Sequence, residues 1–276
     1  MAGQAPRHFW LCADDYGIAP GVNGAIRDLI ARGRLNATSV MVVAPSCTRG
    51  EVDALKNAGK AAIGLHLTLT SPFRPLTPDF TPVAQGTFHP LPGMLSLALR
   101  RRLNRAALAR EVDAQITAFG AAFGRPPDFI DGHQHVHLFP QVRDAVLDAA
   151  RRLVPGAWVR QCVSATPLRS RLGDPKGLLV DALSRAVRRR ASRLGIRTNP
   201  AFAGTYTYRP DADFVRLFPG FLAVLPAEGL VMCHPGHVDE ELKRLDPLTD
   251  AREREYAYLA GPAFPAVLEA YGLTLN

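Results

Sequence analysis

The chain has 276 residues, 47% of them hydrophobic, with a mean hydropathy of −0.01, the apolar content of a protein with a real core, which excludes disorder and collagen-like repeats. One domain spanning 1–276 fits better than two small ones, because α/β barrels routinely fill about 200–250 residues as a single unit. Basic residues outnumber acidic ones 33 to 25, a net charge of +8 that favours anions, but all except four of the cations are Arg, a bias that coding composition explains without an acidic partner.

Short apolar runs alternate with amphipathic segments, the pattern of βα units around a mostly parallel sheet. HFWLCA (8–13) reads as a first strand. A helix follows, opened by Pro20 and Gly21 and stopped at Gly33. TSVMVVAP is then a strand, EVDALKNAG a helix and AAIGLHLTL a third strand, and the Pro-rich residues 71–93 read as a long surface loop without a helix. Apolar residues at helical spacing run from about Leu103 to Phe123, closed by Gly124. DFIDGHQHVHLFP reads as a strand entering a loop, QVRDAVLDAARRL as a helix and AWVRQ as a strand. Residues 163–210 are less regular, contain a basic helix, and read as a lid or insertion. GLVMCHPG restores the strand-then-loop pattern, and a last helix runs from Thr249, as N-cap, to Tyr271.

Cys12, Cys47, Cys162 and Cys233 lie far apart without CxxC pairing, which argues against a zinc ribbon or a disulfide framework. The opening MAGQAPRHFWLCADDYG meets two acidic residues before any long apolar run, unlike a signal peptide, and no stretch approaches the roughly 20 apolar residues of a membrane helix. A cytoplasmic protein without an integral membrane segment is expected. The basic runs at 100–105 and 185–197 lack aromatic interleaving or a nucleic-acid-binding motif, so they read as solvated helix faces rather than a nucleic-acid surface.

Asp14, Asp15, His66, His133, His135, His137, Arg160 and His234 all fall at or just beyond the C-terminal ends of expected strands, the edge where α/β sites form. Each has an ordinary reading beside a functional one. Asp14 and Asp15 are a metal ligand with a neighbouring base, or the polar start of a loop. They can serve one site only if the backbone turns there, since successive strand residues face opposite ways, and Gly17 makes a turn cheap. His66, among leucines, is a ligand or a core histidine. If the strand persists, His133, His135 and His137 share one face, with Asp131 able to orient a ligating ring through its second nitrogen; otherwise they form a His-rich turn. His234, in a Pro–Gly turn, is a proton donor or a water-facing histidine. Arg160 anchors a substrate carboxylate or makes a surface salt bridge.

The strings ADDYG, PGVN, S-V-M-V, GLHL, D-x-HQHVH-x-FP and CHPG, in this order and spacing, resemble the YdjC-like (ChbG/HpnK) carbohydrate deacetylases. The match is close over roughly 9–70 and 105–160 and returns at 229–240. The resemblance implies an α/β fold, a distorted, TIM-like (β/α) barrel, and metal-dependent removal of an N-acetyl group from an amino sugar, oligosaccharide or glycolipid. By position, Asp15, His66 and His133 would hold one divalent ion, zinc or magnesium. Asp14 would be the general base and His234 the general acid, with His135, His137 and Arg160 left as substrate-binding candidates. Gly132 stands where many relatives carry Ser.

The residue chemistry agrees, since one carboxylate and two imidazoles leave open positions on a divalent ion. The rival readings are a catalytically silent metal- or sugar-binding protein, against which an acid–base pair argues, and a phosphoester hydrolase, which needs a second metal and more carboxylates. Expected partners are an N-acetylated sugar, an anionic membrane surface contacted peripherally, and a second copy in a homodimer.

Overall fold

The computed structural model describes residues 7–167 and 174–275. Strand β1 (Arg7–His8) leads into β2 (Trp10–Tyr16), followed by α1 (Pro20–Ala31), β3 (Ala37–Val40), α2 (Arg49–Lys56) and β4 (Ala62–Leu67). After a long loop come α3 (Leu91–Leu99), α4 (Arg105–Phe123), β5 (Phe129–Gly132), a 3-10 turn (His133–Leu138), α5 (Val142–Leu153) and β6 (Trp158–Val159). The last part holds α6 (Pro175–Arg193), β7 (Phe202–Ala203), α7 (Phe214–Ala223), β8 (Leu230–Cys233), α8 (Glu240–Leu245), α9 (Asp250–Ala260), α10 (Ala263–Ala270) and β9 (Leu273–Thr274).

Seven of these strands form one sheet in the order β6-β5-β4-β3-β2-β8-β7, every pair parallel. The central strands are buried on both faces, which is why WLCADDY and AIGLHL read as near-continuous apolar runs rather than as alternation. The two edges of the sheet meet. The chain past β6 returns to extended geometry, where Ser164 bridges Phe202 in parallel and Ala165 N–H donates to the Phe202 carbonyl at 2.8 Å. The result is a curled sheet whose edges are joined by this one bridge, a distorted (β/α) barrel as expected. At its opposite end β1 pairs in parallel with β9.

Local chemistry explains most boundaries. Asn104 caps α4 by accepting from the N–H groups of Ala106 and Ala107, and Gly124 ends it in the left-handed conformation. The stretch 71–93 is largely irregular, but α3 starts inside its end, at Leu91, with Pro92 in the first turn where its missing N–H costs nothing. The loop is not loose: buried Glu111 on α4 accepts from Leu76 N–H and from both the N–H and hydroxyl of Thr77, and Gln115 makes a two-way pair with the Thr68 backbone. The expected final helix is two helices, broken at Gly261–Pro262, because proline supplies no N–H to continue the ladder. Thr249 occupies the N-cap position of α9 without making the capping bond. Within the expected lid or insertion, α6 packs on the 3-10 turn and on α5, burying Leu183, Val187 and Ala191, and β7 joins the barrel; residues 168–173 lie outside the described residues. The four cysteines are free, and among the described residues no helix is long and apolar enough to cross a membrane.

Candidate active site

The strand that carries Asp14 and Asp15 does not stay straight. Its pairing with β3 shifts between Ala13 and Tyr16, and Asp15 itself has φ 70°, followed by Gly17 at φ 100°. The bulge cancels the alternation of the strand, so neighbouring carboxylates reach one site. The turn falls on Asp15, one of the few non-glycine types that enters this region at modest cost.

Asp15 meets two imidazoles. Its Oδ1 lies 2.8 Å from His133 Nδ1 and 3.2 Å from His66 Nε2, while its Oδ2 accepts from Arg252 Nη2 at 2.6 Å. Donor atoms of Asp15, His66 and His133 all fall within 4.8 Å of one another, and all three side chains are buried. With metal–donor bonds of about 2.1 Å, neighbouring donors on one ion stand about 3.0–3.4 Å apart, which the Asp15–His66 spacing matches and the Asp15–His133 spacing approaches. The set therefore fits a divalent metal ion. His66 is oriented from behind, its Nδ1 2.6 Å from Asp131 Oδ1 and 2.9 Å from Ser39 Oγ. Asp131 thus serves the ring on the neighbouring strand rather than one in its own histidine run. Burial alone would push the His66 pKa down, but Asp131, Asp14 and Asp15 carry it up to about 10.

Asp14 sits on the other side of the bulge. Arg160 grips it at both oxygens, Nη1 to Oδ2 and Nη2 to Oδ1, each 2.7 Å. Burial pushes this carboxyl up, yet Arg160, His66 and His234 together hold it well below the usual carboxylate range. Cys12, Asp14 and Asp131 also form a metal-like trio, but its centre is taken: Arg160 Nη2 lies 3.0 Å from Cys12 Sγ and 2.5 Å from Asp131 Oδ2. The last contact is an ion pair without hydrogen-bond alignment, which leaves Oδ2 formally unpaired. The guanidinium is the cation of this second cluster.

The histidine string does not continue the strand. β5 ends at Gly132, and Gln134 and His135 both turn left-handed, φ 53° and 59°, so the three rings diverge. His133 goes to Asp15. His135 stays half-buried, its ring edge-on to Phe202 at 5.8 Å and its Nδ1 3.7 Å from Cys162 Sγ. Burial, with a smaller contribution from Arg160, outweighs Asp14 and pushes His135 down to about 4, so the ring is neutral. His137 turns inward, 1% exposed, with Nε2 3.1 Å from the Arg160 carbonyl. A Cβ on Gly132 would stand 3.0 Å from His137 N and Nδ1, so glycine lets the turn fold back this tightly. The expectation that His137 and Arg160 touch substrate is corrected here: both side chains are buried behind the site, His137 on the Arg160 carbonyl and Arg160, at 0% exposure, on Asp14 and Asp131, and only His135 of the three keeps an accessible edge.

His234 follows β8 and is half-buried, its ring edge-on to Tyr208 and close enough to Asp14 to act on its charge. Arg252, Ser39, Phe73, Tyr208 and Glu255 complete the site and were not anticipated. Phe73, from the 68–90 loop, packs edge-on to His133 at 5.9 Å. Ser39 lies in the S-V-M-V string, a usable signal. Arg252 carried none, standing near the start of the expected last helix, yet its side chain is wholly buried between Asp15 and Asp246.

A distorted parallel barrel with an Asp–His–His cluster at the C-terminal ends of its strands defines a class of α/β proteins built to hold a metal ion beside ionised groups. The chain belongs to the family described as YdjC-like protein, which it matches over residues 8–270. It is similar to the chitooligosaccharide deacetylases of Yersinia pestis (strain Pestoides F) and Yersinia pseudotuberculosis serotype O:1b (strain IP 31758), each 34% identical over 145 residues, 50% of this chain and 54% of theirs. It therefore spans about half the length of these curated relatives. A crystal structure of an Enterococcus faecalis V583 protein assigned to cellobiose-phosphate cleavage superposes with a TM-score of 0.77 at 21% identity, covering 99% of this chain and 97% of that one, which establishes the shared fold.

Proposed function

We propose that the protein is a metal-dependent N-deacetylase that releases acetate from an N-acetylated amino sugar. The observation that carries this is the division of labour at the β2 bulge: Asp15 joins two imidazoles, while Asp14, one residue away, is held ionised by Arg160 and kept out of that cluster. The chitooligosaccharide deacetylases among its relatives support the substrate class.

Asp15, His66 and His133 would hold the ion, and two imidazoles with one carboxylate favour a first-row transition ion such as zinc over magnesium. When bound, the ion supplies Lewis acidity toward water and toward the acetamide carbonyl. Asp14 takes the proton of the attacking water on a lone pair that the Arg160 fork leaves free; Arg160 fixes the direction of that lone pair and keeps the carboxylate ionised. Asp131 and Ser39 lock the His66 ring. His234 delivers a proton to the departing amine, which an amide nitrogen requires in order to leave. His135, neutral and half-exposed, faces the substrate. A two-metal phosphoester hydrolase is not supported, because the second acidic trio among the described residues is filled by Arg160.

The test is acetate release from di-N-acetylchitobiose by the purified protein, before and after chelation and after return of zinc, cobalt, manganese or magnesium. Release that disappears with chelation and returns with an ion supports the reading. No release from chitobiose or other N-acetylated amino sugars with any ion overturns it.

A further inference from the structure

We propose that Tyr208 is a positioning residue for His234, holding the imidazole by Nδ1 so that Nε2 is the nitrogen that meets the leaving group. This rests on the reading of His234 as general acid. Tyr208 Oη lies 3.4 Å from His234 Nδ1, and the rings meet edge to face with centroids 5.5 Å apart at 83°. Among the described residues nothing else hydrogen-bonds the His234 ring. The backbone is fixed separately: Glu255 on α9 accepts the His234 N–H through Oε2 and the Tyr206 hydroxyl through Oε1 at 2.6 Å. Tyr206 in turn packs on Tyr208, centroids 4.3 Å apart. One buried glutamate therefore ties the loop after β7 and the loop after β8 to the same helix, and the tyrosine pair turns that clamp into a fixed ring orientation.

A hydroxyl on Nδ1 orients an imidazole without adding the charge that a carboxylate would. Burial, with Glu255 next in effect, holds the Tyr208 phenol well above its ordinary range, so the partner stays neutral. The proton account closes. Nδ1–H donates to Tyr208 Oη throughout. The Nε2 proton passes to the amine nitrogen as the C–N bond breaks, and Nε2 regains a proton from solvent.

Tyr208→Phe keeps the ring contact and removes Oη. On an N-acetylated amino sugar kcat should fall about 10- to 100-fold with KM within about twofold, less than the loss of the acid itself. In a His234→Ala background the same substitution should change kcat by less than about twofold, because the effect runs through the imidazole. Nitrogen-15 imidazole spectra, with His234 identified by its disappearance in His234→Ala, should show the Nδ1–H tautomer giving way to Nε2–H in Tyr208→Phe. An undiminished loss in the His234→Ala background, or an unchanged tautomer, overturns the proposal. If the wild-type protein releases no acetate, the proposed activity fails instead, and the spectra still decide whether Tyr208 holds the ring.

Discussion

Asp14 and Asp15 are the same side chain at adjacent positions on one strand, and each is buried and paired with a fully buried arginine. Their surroundings nevertheless separate them. Arg160 occupies both oxygens of Asp14 and also faces Asp131, so one guanidinium is shared between the two carboxylates of this half. Arg252 takes only Oδ2 of Asp15 and shares itself with Asp246, which leaves Oδ1 pointing between His66 and His133. The role of each carboxylate follows from the geometry of its arginine, fork on both oxygens or single contact on one, rather than from the acid itself.

The contrast can be broken most severely on the Asp15 side. His66→Ala should leave less than about a tenth of an equivalent of bound zinc by elemental analysis, with activity lost along with it, since removing one of three protein ligands dismantles the site. Full metal retention would remove His66 from the ligand set. On the Asp14 side, Asp14→Asn should keep the metal while acetate release falls by about 10² to 10⁴, the usual share of a general base; an unchanged rate would reassign the base.

The two arginines should differ in stability. Arg160→Met takes the cation from buried Asp14 and leaves Asp131 with His66 alone, and should cost about 3–5 kcal/mol in denaturant unfolding, the range for breaking a buried pair from one side. Arg252→Met should cost less, because Asp15 keeps its histidines and Asp246, 11% exposed, can recover water. Equal losses would mean that the two halves are not distinct. The smallest effect concerns the turn that delivers His133. Gln134 is exposed and left-handed, so Gln134→Gly should raise stability by about 1 kcal/mol by relieving backbone strain, without changing metal content.

Much of this site was legible along the chain. Asp14–Asp15, His66, His133 and His234 each end an apolar run, and a parallel strand buried on both faces announces itself by composition, so the edge they share could be read without coordinates. The possible role of Asp131 behind a ligating ring was also readable, though not which ring. Of the two readings of the histidine string, a shared strand face or a His-rich turn, the turn is the one realised, and nothing in GHQHVH signals that Gln134 and His135 turn left-handed. The split helix at Gly261–Pro262 shows a residue signal passed over; α3 and α7 show apolar segments hidden among prolines and irregular stretches.

Local order along the polypeptide decided the alternating βα pattern, most strand ends, and which ionisable groups would stand at the C-terminal edge, because these depend on apolar periodicity and short-range backbone preference. Folding alone decided their partners. Arg160 and Arg252 come from 146 and 237 positions away from the carboxylates they hold, Asp14 and Asp15, and Glu255 and Tyr208 from 21 and 26 positions away from His234. Charges at that separation meet only when the barrel closes, and it is desolvation in the closed barrel that makes each pairing strong enough to divide two identical acids between two tasks.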